Sequence, residues 1–116
     1  MKINGIIHYN KLGNGLKDVL LDIELSSDEK IKIHDHYTNE SSELNDPDYD
    51  VEDVSVIVYV TVKEGEIREV DTYYYPSDFG EHRMNHLFSK EEVEECIRYV
   101  KENFIGKEQN YKQYYT

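Results

Sequence analysis

Residues 54–75, "VSVIVYVTVKEGEIREVDTYYY", decide the fold. Val54, Val56, Val58, Val60 and Val62 fall on one side of an extended chain, and Ile57 and Tyr59 on the other. Alternation of this kind is the period-2 signature of a β-strand, and apolar character on both sides puts the strand in the interior of a sheet. "KEGE", 63–66, contains Gly65 and predicts a tight hairpin turn. "IREVDTYYY", 67–75, returns as the antiparallel partner, and Pro76 ends it because proline cannot donate to the ladder.

Working outward, "INGIIHY", 3–9, reads as a strand weakened by Gly5, and "KLGNG", 11–15, as turn chemistry. "DVLLDIEL", 18–25, alternates Val19, Leu21, Ile23 and Leu25 against Leu20, Asp22 and Glu24, a strand with one buried face. "SSDE" turns the chain, and "KIKIHDHY", 30–37, is expected as a third strand with Ile31 and Ile33 inward. Near the C-terminal end, Ser89 followed by Glu92 predicts a capping box. Val93, Cys96, Ile97, Val100 and Phe104 then form the apolar stripe of a helix that stops near Gly106. The expected fold is α+β: an antiparallel sheet of about five strands with one C-terminal amphipathic helix packed on it. Residues 1–106 make a single domain, with an acidic loop at 38–53 between strands three and four and a C-terminal tail at 107–116 that lacks periodicity.

At 116 residues the chain can bury a core without disulfides or a structural metal. The single cysteine excludes an intrachain disulfide and fits a reducing compartment such as the cytoplasm. No signal peptide is visible at the N-terminus, no apolar run is long enough to span a bilayer, and without a secretory signal the Asn39-Glu40-Ser41 glycosylation pattern carries no weight.

Charge is the strongest global feature. There are 25 acidic and 13 basic side chains, a formal net of −12, of which residues 38–53 alone contribute −7. Such a field repels nucleic acid and anionic membranes and attracts cationic surfaces. The excess centres on "NDPDYDVED", 45–53. As a calcium loop it fails. Asp46, Asp48 and Asp50 suit the first three ligand positions, but Val51 occupies the place of the turn glycine and Ile57 that of the bidentate glutamate.

A second reading is mimicry of a phosphate backbone. Alternate residues of an extended segment lie about 6.6 Å apart on one side. Asp46, Asp48, Asp50 and Glu52 would form such a row, stiffened by Pro47 and extended by Glu40, Glu43 and Asp53, with Tyr49 as an apolar anchor. The plain alternative is a solvated connector between strands.

Four of the five histidines come as two pairs: His34 with His36, and His82 with His86. Positions i and i+2 share a strand face and i and i+4 a helix face, so each pair has a spacing that chelates zinc or a similar metal. Histidines on a solvent face, or hydrogen-bonded at a sheet edge, are the more common explanation of such a pattern. "DFG" at 78–80 lacks every other kinase signature, and Cys96 lies on the apolar stripe of its helix. No set of nucleophile, base and orienter assembles, which weighs against an enzyme. Tyrosine is abundant, with eleven residues against three phenylalanines, and suits an interaction surface.

Size, charge and tyrosine content together resemble the small acidic proteins that block nucleases and other nucleic-acid-binding effectors. These include anti-CRISPR and anti-restriction proteins and bacterial immunity proteins. The resemblance implies an inhibitor that docks on a basic protein partner, with no direct contact to nucleic acid or membrane. The other expectations are a metal-binding module or metal-dependent enzyme built on the histidine pairs, and an accessory protein whose charge only keeps it soluble.

Overall fold

The hairpin at the centre of the sequence is the centre of the sheet. In the computed structural model, which describes residues 1–40, 51–74, 82–83 and 88–115, β3 is Val56–Lys63 and β4 is Glu66–Tyr74. Between them Glu64 and Gly65 both have positive φ, 53° and 78°, the combination that lets a two-residue turn follow the twist of its strands. On the other side of β3 lies β2, Leu16–Glu24, and then β1, Lys2–Lys11.

Two short strands complete the sheet: β5, His82–Arg83, beside β4, and β6, Gln113–Tyr115, beside β1. The order is β5-β4-β3-β2-β1-β6. All pairs are antiparallel except β1 with β6, so the sheet is mixed rather than purely antiparallel. The tail at 107–115 supplies that parallel strand. The Tyr9 N–H donates to the Lys112 carbonyl at 3.0 Å, and the Tyr9 hydroxyl to Gln113 Oε1 at 2.8 Å.

β1 departs from strict alternation. Register shifts at Asn4 and Ile7 turn Ile3, Ile6 and Tyr9 toward one face and leave Ile7 52% exposed. A residue unmatched in the partner strand lets a weakly alternating segment keep its apolar side chains on the core side.

The expectation of a third strand at 30–37 is overturned. Ser27–Glu40 is a helix, α1, so the described residues hold two α-helices instead of one, and the acidic segment follows a helix rather than a strand. Its start explains why. The Glu29 N–H donates to Ser26 Oγ at 3.2 Å, and the Ser26 N–H donates back to Glu29 Oε1 at 2.9 Å, a capping box. Asp28 and Glu29 also suit the positive end of the helix dipole. Positions 31 and 33 then sit about 200° apart around the axis. Ile33 is buried and Ile31 is 46% exposed, where a strand would have treated them alike.

The second helix, α2, is Lys90–Asn103, with the expected Ser89–Glu92 capping box at its start. Cys96, Val100 and Phe104 pack with Tyr9, Val19, Leu21, Val58, Val60 and Val62 in the main core. Ile33 of α1 packs with Val54 and Val56 in a second cluster joined by Ile23, Leu25 and Phe88. Val56 and Val58 share a strand face, so both helices cover the same side of the sheet.

Candidate partner-binding surface

The opposite side of the sheet carries no helix among the described residues. Register brings its side chains into rows across the strands: Leu20, Tyr59 and Asp71 in one, and Asp18, Thr61 and Glu69 in the next. Ile57 pairs with Tyr73, and Arg83 holds the register position beside Tyr73 on β5. The Thr61 hydroxyl donates to Asp18 Oδ1 at 2.7 Å, which orients that carboxylate. The Tyr59 and Tyr73 rings meet edge to face, with centroids 6.2 Å apart and planes at 73°. Around these groups lies a shallow groove of about 310 Å³, whose described walls include Asn10, Leu12, Asp18 and Asp71. At the far side of the face, His8 and Tyr114 make a second edge-to-face pair at 4.6 Å.

Strand alternation separated these residues from the core side one strand at a time. Their assembly required the register. Asp18, Leu20, Thr61 and Asp71 are far apart in sequence, and only the pairing of β2, β3 and β4 sets the two carboxylates around the two tyrosines. The sequence signal that points to them is the acidic or aromatic residue at alternate positions opposite buried valines.

Of the acidic residues expected to bind a partner, Glu40 ends α1, and Glu52 and Asp53 lie in a 3-10 turn, Val51–Asp53. Glu43, Asp46, Asp48, Tyr49 and Asp50 lie outside the described residues. Glu52 is exposed and 3.8 Å from Lys30 Nζ, and its carbonyl accepts from the same ammonium at 3.3 Å. Lys30 thus offsets part of the charge at the edge of the acidic segment.

The histidine pairs change meaning with the fold. Positions 34 and 36 lie on a helix, where a two-residue step turns about 200°, so the shared strand face that motivated the pair is lost. His34 Nδ1 instead lies 3.8 Å from Asp35 Oδ1. His82 belongs to β5, and His86 is outside the described residues. Among the described residues no group of three or more His, Cys, Asp or Glu side chains is placed to hold a metal ion. Burial, with Glu95 and Glu92 nearby, pushes the Cys96 thiol pKa up to about 12, so it stays protonated and is no nucleophile.

Among the described residues no helix is long and apolar enough to cross a membrane. The geometry defines an α+β protein with both described helices on one side of a mixed sheet and an acidic, tyrosine-bearing surface on the other. No family model, curated protein or solved structure matches the chain.

Proposed function

We propose that this chain is a non-enzymatic acidic binding protein that docks on the basic surface of a nucleic-acid-handling protein and blocks it, as anti-CRISPR, anti-restriction and immunity proteins do. The observation that carries the reading is the open sheet face, where Asp18 and Asp71 stand beside Tyr59 and Tyr73 on rigid strands. Tyrosine adds large contact area at low entropic cost, and fixed carboxylates select a cationic partner. The net charge of −12 supports the same partner class by steering encounter with a positive surface. The acidic segment around Asp46, Asp48 and Asp50 extends this field, either as a phosphate-like row or as part of its general charge.

The test is capture of partners from the source cell at low and moderate salt, followed by Asp46, Asp48 and Asp50 changed together to Asn. A basic nucleic-acid-binding protein should be retained at low salt and lost steeply as salt rises. The triple variant should keep the fold, bind more weakly and show a flatter salt dependence. Capture that is indifferent to salt, or equal binding by the triple variant, sinks the role of the segment. Capture of no basic partner sinks the proposed function.

A further inference from the structure

We propose that the outer edge of β1 pairs with the same edge of a second copy of this chain, antiparallel across a twofold axis, to give a dimer with one continuous sheet. The inference goes beyond the proposed function and does not depend on it.

β6 covers β1 only at Tyr9, Asn10 and Lys11. Along Lys2–His8, β1 has β2 on one side and, among the described residues, no strand on the other. The backbone N–H and C=O groups of such an edge point outward and are a template for another strand. Ile7, 52% exposed, lies on it.

The bulges select the occupant. Lys2 stands opposite Glu24 and Gly5 opposite Asp22, on the open side of the sheet, while Ile3 and Ile6 pack on the core side opposite Ile23 and Leu21. Asn4 and Ile7, each following a core-facing isoleucine, turn to the open side. From Lys2 to Ile7 the sides therefore run open, core, open, open, core, open, an order that reads the same from both ends. Residues opposed across an antiparallel pair share a face. With the axis between Asn4 and Gly5, Ile3 meets Ile6 of the second copy, Asn4 meets Gly5, Lys2 meets Ile7, and every pair agrees. An axis on Asn4 or on Gly5 sets core-facing residues against open-facing ones. A strictly alternating strand from another protein falls out of step at the bulge. The irregularity that guards this edge against arbitrary strands thus leaves it open to its own copy.

Charge permits the approach. Residues 1–17 hold Lys2, Lys11 and Lys17 and no acidic side chain, so two copies of a chain with net charge −12 meet on a stretch that adds no negative charge. Lys2 stands about 17 Å from its equivalent, beyond a Debye length of about 10 Å. The axis is perpendicular to the sheet, so the two open, acidic faces lie side by side on the same side of the dimer.

The edge is shorter than the roughly 20–30 residues a side of a standard interface, so dimer should appear between about 10 µM and 1 mM. The experiment is sedimentation velocity of the full chain over that range at low and moderate salt, with isotope-filtered NOEs between labelled and unlabelled copies. The dimer should tighten as salt rises, because screening relieves repulsion between acidic copies, whereas docking on a basic partner should weaken. NOEs should join Ile3 of one copy to Ile6 of the other. Ile7→Lys, which sets a second ammonium opposite Lys2, should weaken the dimer at least tenfold with circular dichroism unchanged. Ile31→Lys, at an exposed position on α1, should leave it intact. A monomer at every concentration and salt overturns the proposal. So does a dimer that survives Ile7→Lys, one that Ile31→Lys weakens equally, or one whose NOEs avoid β1. A basic partner captured by a chain that stays monomeric overturns the dimer and leaves the proposed function standing.

Discussion

Cys96 is the chain's one thiol, and its surroundings make it inert. It is 2% exposed, and burial with two neighbouring glutamates holds its pKa near 12. A thiol reagent at pH 8 should therefore leave the native protein unlabelled and label it fully in denaturant. Rapid labelling of native protein would contradict the packing of α2 on β3.

Phe104, fully buried, stacks edge-on against Tyr9 with centroids 5.0 Å apart and lies 6.0 Å from Tyr111. Its change to Ala should cost about 3–5 kcal/mol in denaturant melts, because two rings lose their common partner. Gly65 has a different reason to be glycine. A Cβ there would come only within 4.0 Å of Ile105 Cγ2, so space is no obstacle. Its φ of 78° is the obstacle, and Gly65→Ala should cost about 1–2 kcal/mol.

At the scale of the element, two helices begin in the same way, with Ser26–Glu29 for α1 and Ser89–Glu92 for α2. Ser26→Ala and Ser89→Ala should each lower stability by about 1 kcal/mol, since each leaves an orphan N–H in the first turn. Glu29 carries an added pH dependence. Burial taken alone would raise its pKa, but hydrogen bonds from the Met1 amine and from the Ser26 N–H and hydroxyl outweigh that and hold it below its ordinary 4.5. A depressed carboxyl stabilises the fold fully above its unfolded pKa and loses that contribution as pH falls through the folded one. Glu29→Gln should thus be less stable than wild type at pH 7, and the gap should close as the solution is acidified below the folded pKa. A gap that widens in acid would contradict the assignment.

The helix at α1 also shows where periodicity alone misleads. Ile31 and Ile33 fit a strand as well as they fit a helix, because two residues at spacing two contain no third point to separate the periods. The Ser26–Glu29 pair, identical in kind to the one read correctly at Ser89–Glu92, was the signal that separated them. The tail offered less. Gln113, Tyr114 and Tyr115 gain their strand from the edge of β1, a partner about 100 residues away, and no local pattern announces such a pairing. A chain ending at Gly106 loses the Tyr9–Gln113 and Tyr111–Asn103 hydrogen bonds and the Lys112 carbonyl that caps Tyr9. At about 1 kcal/mol for each bond it should be destabilised by roughly 3 kcal/mol.

For the whole molecule, the excess of negative charge opposes compaction as well as steering partners. Salt screens exposed charges over a Debye length of about 10 Å at 0.1 M. The melting temperature should therefore rise by about 2–6 °C between 10 mM and 300 mM NaCl, a change of roughly 1 kcal/mol. Binding to a basic partner should weaken over the same range. The two responses have opposite signs because one relieves repulsion within the chain and the other removes attraction between chains.

The sequence by itself determined the central hairpin, the existence of the strand β2 (Leu16–Glu24, expected at 18–25), the α2 helix with its cap, and the sign of the field. These are local or additive properties: alternation, capping geometry, turn conformation and summed charge. Only the tertiary structure decided that the tail adds a parallel strand and that both described helices take the same face. The candidate groove belongs to this second group. Asp18, Tyr59, Asp71 and Tyr73 meet through strand register, and register is settled by which apolar side chains fill the core on the other face, a long-range competition that no short stretch contains.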